Sequence, residues 1–248
     1  MEEKVQPQVG VSRLKQSLWL VGLVVAFFAV QLLGELIAGR LKLGVLASAS
    51  VTQAGIMLVA ILWALIDGGG FKSLGVFARW KSYDAAVVAA VLFLHIAGSL
   101  FTMIILLLAG LYDPESSKGA IDTFSGFGNL ETGPLTATAL LLALQAGIGE
   151  EILFRGYIIT RLERLGFKAW ACILLSAVIF GLVHVPGYGW AASLPKALWL
   201  GIPTAIYFWY RRNLGPLMVA HSVLDFAMFM LLGLLVRMTG GHLPTTWP

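Results

Sequence analysis

Residues 147–157 read GIGEEILFRGY, between LTATALLLALQA (135–146) and IIT (158–160). The flanks are apolar, yet Glu150, Glu151 and Arg155 fall within six positions. A bilayer-spanning helix needs about 20 mostly apolar residues. What these charges do inside such a run decides both the architecture and the chemistry.

The rest of the chain sets the context. It has 248 residues, 58% hydrophobic and 12% charged, with a mean hydropathy of +0.86. Soluble domains carry about 25% charged residues. This composition, with long apolar runs, indicates an integral membrane protein of all-α class, a polytopic transmembrane helical bundle. The single cysteine, Cys172, excludes a disulfide framework and a thiolate metal site, and reads as a small buried hydrophobe. No Arg-rich cluster with interleaved aromatics points to nucleic acid. The N-terminal MEEKVQPQVGVSRLKQ is polar, and the apolar run after it exceeds the roughly 7–15 residues of a signal peptide, so it is expected to be an uncleaved first span.

Seven candidate spans follow: 18–38, 45–66, 85–111, 135–160, 169–185, 194–210 and 216–236. A missed or re-entrant segment would make eight. The connector after the third span, 112–133, is acidic, rich in Gly and Ser, and has room for a short interfacial helix. With the N-terminus in the cytoplasm, eleven Lys and Arg residues lie inside and five outside, Lys196 among the outer ones. This obeys the positive-inside rule.

Charged side chains within spans cost roughly 2.5–3.5 kcal/mol each on insertion scales and usually mark function. Glu151 and Arg155 stand at i and i+4, acid before base, and can pair on one helix face. Glu150 is turned about 100° away and has no partner on its own helix. An unpaired carboxylate can serve as a general base; the alternative is an ion-pair cluster that locks helices. Phe180 and His184 in FGLVHVPGYGW also stand at i, i+4, with a helix end or kink expected at Pro186. His221 and Asp225 in MVAHSVLDFAM form a third such pair, and an aspartate can fix an imidazole tautomer. Each pair alone also reads as packing. Together they would make a hydrolytic or metal site in the bundle core.

Other polar residues carry less. His95 reads as packing, and Asp67 and Asp84 as span boundaries. His242 lies in a polar tail, and Glu35 with Arg40 at a span end. Tryptophans and the IYFWYRR cluster (206–212) read as interfacial anchors. Gly147 and Gly149 either allow close helix approach or loosen the helix.

EEILFR (150–155) resembles the EExxxR motif of the CPBP family, the CAAX-protease and bacteriocin-processing intramembrane proteases, also called Abi. FGLVH (180–184) resembles its FxxxH motif, and HSVLD (221–225) its third, His followed four residues on by Asn or Asp. The three occur in the family's order. Residues 112–248 are therefore expected to form the catalytic region, and 1–111 to be transmembrane helices without diagnostic motifs.

The resemblance implies a peptidase, an intramembrane endopeptidase, cutting near the C-terminus or a membrane-proximal part of a peptide or membrane-tethered protein. It implies that Glu150 activates water with His184, and that His221 and Asp225 orient the carbonyl or stabilise the oxyanion. Glu151, Arg155 and Phe180 would support the site. An ionised Asp225 cannot donate to an oxyanion as Asn can, so it is expected to orient His221 or ligate a metal. Glu150, His184, His221 and Asp225 could supply ligands to zinc. There is no HExxH, and metal-independent activation is favoured. The resemblance also points to a bacterial cytoplasmic membrane. The alternatives are a scaffold or immunity protein of the same fold, or a small proton-coupled transporter.

Depth poses a conflict. At 1.5 Å per residue, Glu150 lies about 16 Å from Arg161 and His221 about 13 Å from Arg212, but His184 lies about 24 Å from Lys168.

Overall fold

The computed structural model describes residues 13–66, 70–76, 78–112 and 125–239. Every regular element among them is helical. They are α1 (Arg13–Leu41), α2 (Val45–Ile66), α3 (Asp84–Leu108), α4 (Thr132–Arg164), α5 (Ala169–Leu182), α6 (Val185–Pro195), α7 (Ile202–Arg211) and α8 (Gly215–Met238), with single turns at Gly70–Ser73 and at 125–128. Within α4 the stretch Glu151–Ile159 is wound as a π-helix, and a second π-helical stretch, Lys196–Gly201, joins α6 to α7. Asp67, His242, Lys118 and most of the acidic connector lie outside the described residues.

Five helices, α1, α2, α3, α4 and α8, are long and apolar enough to cross a membrane. The other two expected spans take another form. α5 has 14 residues, about 21 Å of helix. The run at 194–210 is the π stretch plus α7, continuing from α6. Prolines explain the breaks. Pro186 stands in the first turn of α6, where its missing N–H costs nothing. Pro195 and Pro203 flank the π stretch, and Pro203 offers no N–H to the carbonyl four residues back. Gly189, at φ 72°, interrupts α6 with a backbone that side-chain-bearing residues avoid.

The helices differ in how much they bury. The most apolar window of α4 is 67% buried, against 33% for α8 and 11–17% for α1, α2 and α3. So α4 is the axis of the bundle, and the other helices turn leucines, valines and phenylalanines outward, as lipid contact requires. α4 packs on α2 and α8; α1 pairs with α2; α3 packs on α8 and the Lys196–Gly201 stretch; α5 packs on the π part of α4 and on α7. The glycines before the glutamates serve close approach. A Cβ on Gly147 would overlap Ser222 of α8, and one on Gly149 would press on the Met57 backbone of α2 at 3.0 Å. Small residues at such crossings let backbones meet.

Two charged residues, one of them read as a span boundary, prove to be internal. Asp84 is fully buried, accepting hydrogen bonds from the Tyr207 hydroxyl (2.7 Å), the Lys81 backbone N–H (2.7 Å) and Asn213 Nδ2 (3.5 Å). It ties the start of α3 to α7 and to the turn before α8. Asp84→Ala would leave buried donors unmatched and is expected to destabilise the bundle by about 3 kcal/mol, read as a lowered Tm in detergent. Arg161 is likewise buried, donating to Gln16 of α1 and to the Tyr157 hydroxyl.

Candidate active site

All seven residues singled out by the three motifs come together, from α4, α5 and its C-terminal end, and α8. Glu150 ends the α-helical part of α4, and Glu151 opens its π part. Such wide turns often mark functional sites in helices. Phe180 belongs to α5. His184 lies between α5 and α6, as the residue capping α6. His221 and Asp225 lie one turn apart on α8.

Glu150 is 5% exposed, and Glu151, Arg155 and His221 at most 1%. Glu150 Oε2 faces His184 Nε2 at 3.7 Å and His221 Nε2 at 3.8 Å. It has no hydrogen-bond partner among the described residues. The Nδ1 of His184 lies 2.7 Å from the Phe180 carbonyl. That oxygen can only accept, so Nδ1 carries the proton, and in the neutral ring Nε2 is left as an acceptor toward Glu150. The rings of Phe180 and His184 are 4.8 Å apart.

This contact resolves the conflict of depth. His184 and Glu150 share one level. Helix α5 either crosses obliquely or starts further out, and it ends at the site.

Glu151 does more than neutralise Arg155. Its Oε1 lies 3.1 Å from Arg155 Nη1 and 2.9 Å from His221 Nδ1. One carboxylate oxygen thus faces two cationic or donor groups from α4 and α8. Asp225, expected to orient His221, stands 3.6 Å from His221 Nε2, beyond hydrogen-bond reach. The carboxylate that fixes this imidazole is Glu151. The i, i+4 pair of His221 and Asp225 meets at ion-pair distance, while the hydrogen bond to this ring comes from the tertiary contact with Glu151. The Arg155 guanidinium also lies over the Phe180 ring, 4.2 Å from its centroid, a favourable cation–π placement. Phe180 in turn meets the His221 ring edge-on at 5.9 Å.

Sequence reasoning missed Gln53. This α2 side chain donates from Nε2 to Glu150 Oε1 at 3.4 Å, leaving Oε2 to face the histidines. An amide following Ser48, Ser50 and Thr52 within an otherwise apolar run was the available signal. Gln53→Leu is expected to lower the turnover of any Glu150-dependent reaction about tenfold, the scale of one hydrogen bond, with KM nearly unchanged in steady-state assays.

A zinc ion was the other candidate occupant. Among the described residues no group of three or more His, Cys, Asp or Glu is arranged to hold a metal ion. Glu150, His184, His221 and Asp225 are the residues that would hold one, and no step below is routed through a metal.

Comparison with known proteins gives one match. Residues 132–227 match the family model described as Rce1-like, type II CAAX prenyl endopeptidase. That span contains all seven motif residues. No curated protein and no solved structure matches the chain significantly. The matched model describes an endopeptidase family, the one that the three motifs resemble. Residues 132–227 of this helical membrane protein are therefore similar to the Rce1-like CAAX proteases, the CPBP family.

Proposed function

We propose that the chain is an intramembrane endopeptidase in which Glu150 and His184 activate water without a metal. The observation that carries this reading is the convergence of two imidazole Nε2 atoms on the unpartnered Oε2 of Glu150. A water lodged there donates one hydrogen to Glu150 and the other to His184 Nε2. Its oxygen attacks the scissile carbonyl carbon while Glu150 takes the proton. In its doubly protonated form His221 donates Nδ1–H to Glu151 and Nε2–H to the developing oxyanion, with Asp225 beside it as counter-charge. Glu150 then hands its proton to the leaving nitrogen, and the C–N bond breaks. Arg155 balances Glu151, so that Glu151 can hold His221 without leaving a bare charge in the core.

The substrate is a peptide or the membrane-tethered tail of a protein, cut near its C-terminus or its membrane-proximal part. The N-terminus faces the cytoplasm, as the positive-inside distribution favours, and the membrane is a bacterial cytoplasmic membrane. Residues 112–248 form the catalytic region. Residues 1–111 are more than a membrane anchor, because Gln53 reaches Glu150.

The test uses purified full-length protein in liposomes with a library of lipid-anchored, internally quenched peptides, in water enriched in oxygen-18. Cleavage is expected, with one heavy oxygen in each new carboxylate and a rate unchanged by a chelator. Chelator-sensitive cleavage would return the water to a metal. Intact peptides, with a partner protein co-purifying, would favour the scaffold or immunity reading.

A further inference from the structure

Lys196 was counted among the outer, membrane-flanking cations. The packing puts it beside the site. A Cβ on Gly181 would meet the Ala197 side chain at 2.7 Å. The residue after Lys196 therefore sits at the level of Gly181, one turn from His184. The Lys196 ammonium lies 5.1 Å from the centroid of the Tyr188 ring, and that ring lies 5.7 Å from the ring of His184. One aromatic ring separates the cation from the site. Among the described residues no carboxylate lies within ion-pair distance of the cation, whereas Arg155 is paired with Glu151. A partly exposed lysine beside the site, with no carboxylate at ion-pair distance among the described residues, is a place for a ligand anion.

Resting on the peptidase reading, we propose that Lys196 is a specificity residue whose ammonium receives a carboxylate of the substrate, beside the scissile bond and across Tyr188 from His184. A carboxylate suits it because the compact ammonium binds as a point charge with three donors. The Tyr188 ring holds the cation through its π face, away from Glu150.

Two sources supply a carboxylate: the free C-terminus or an acidic side chain. The test measures binding, which does not require turnover. Fluorescent lipid-anchored peptide pools are titrated onto full-length protein in detergent carrying Glu150→Gln. One pool has free C-termini, one C-terminal amides, and one has Asp and Glu replaced by Asn and Gln. One of the two blocked pools is expected to bind about tenfold more weakly, which identifies the source. Adding Lys196→Met is expected to erase the difference, and Lys196→Arg to keep it. The proposal is overturned if Lys196→Met leaves the discrimination intact, or if blocking neither carboxylate weakens binding. Failure of the wild-type protein to cut any pool would sink the peptidase reading separately, since the binding arms are scored without cleavage.

Discussion

Glu150→Gln is expected to lower kcat for peptide hydrolysis by about a thousandfold, within the usual range for a general base. The amide fills nearly the same volume and keeps an acceptor for Gln53, but it cannot take the water's proton. KM should change little, because the substrate's own contacts are untouched. Helicity by circular dichroism and the Tm in detergent should stay close to wild type, since among the described residues Glu150 makes no salt bridge to Lys or Arg and faces the two histidines at 3.7 and 3.8 Å. More than about a tenth of wild-type kcat in the variant would remove Glu150 from the role.

Arg155→Met is expected to fail in a different way. Arg155 and Glu151 are both fully buried, and deleting one partner of a buried pair costs about 3–5 kcal/mol because the other charge is left uncompensated. The variant should unfold at a clearly lower temperature and lose activity with the fold. Adding Glu151→Gln removes the stranded charge and should recover much of the stability. It should not recover activity, because His221 Nδ1 would then face a neutral amide in place of a carboxylate. A double variant that regains both would mean that Glu151 serves the fold alone. This cycle separates holding the helix in place from holding the imidazole.

The architecture was legible because the bilayer constrains it so strongly. Long apolar runs in a chain this poor in charge leave helices as the open solution. The short α5 and the jointed α6–α7 region were harder, since hydropathy measures greasiness over a window and is blind to where prolines and Gly189 break the backbone. The cluster was legible as far as each helix's own spacing reached. Glu151 with Arg155, and Phe180 with His184, meet as i, i+4 geometry requires. Contacts that depend on how helices cross were not. Nothing local tells that Glu151 reaches His221, that Gln53 reaches Glu150, or that Asp84 is enclosed by Tyr207 and Asn213.

The π-helical stretch Glu151–Ile159 has a bearing on how this chain tolerates change in length. A π turn accommodates one residue more than an α turn does. Removing a single residue between 151 and 159 would let α4 regularise, but everything upstream would swing by about 100° and slide by about 1.5 Å. Glu150 would rotate off the histidines, and Gly147 and Gly149 off the backbones they admit. The interior of this helix is therefore a phase-setting element. Side chains there can be exchanged one for another more safely than the number of residues can be altered.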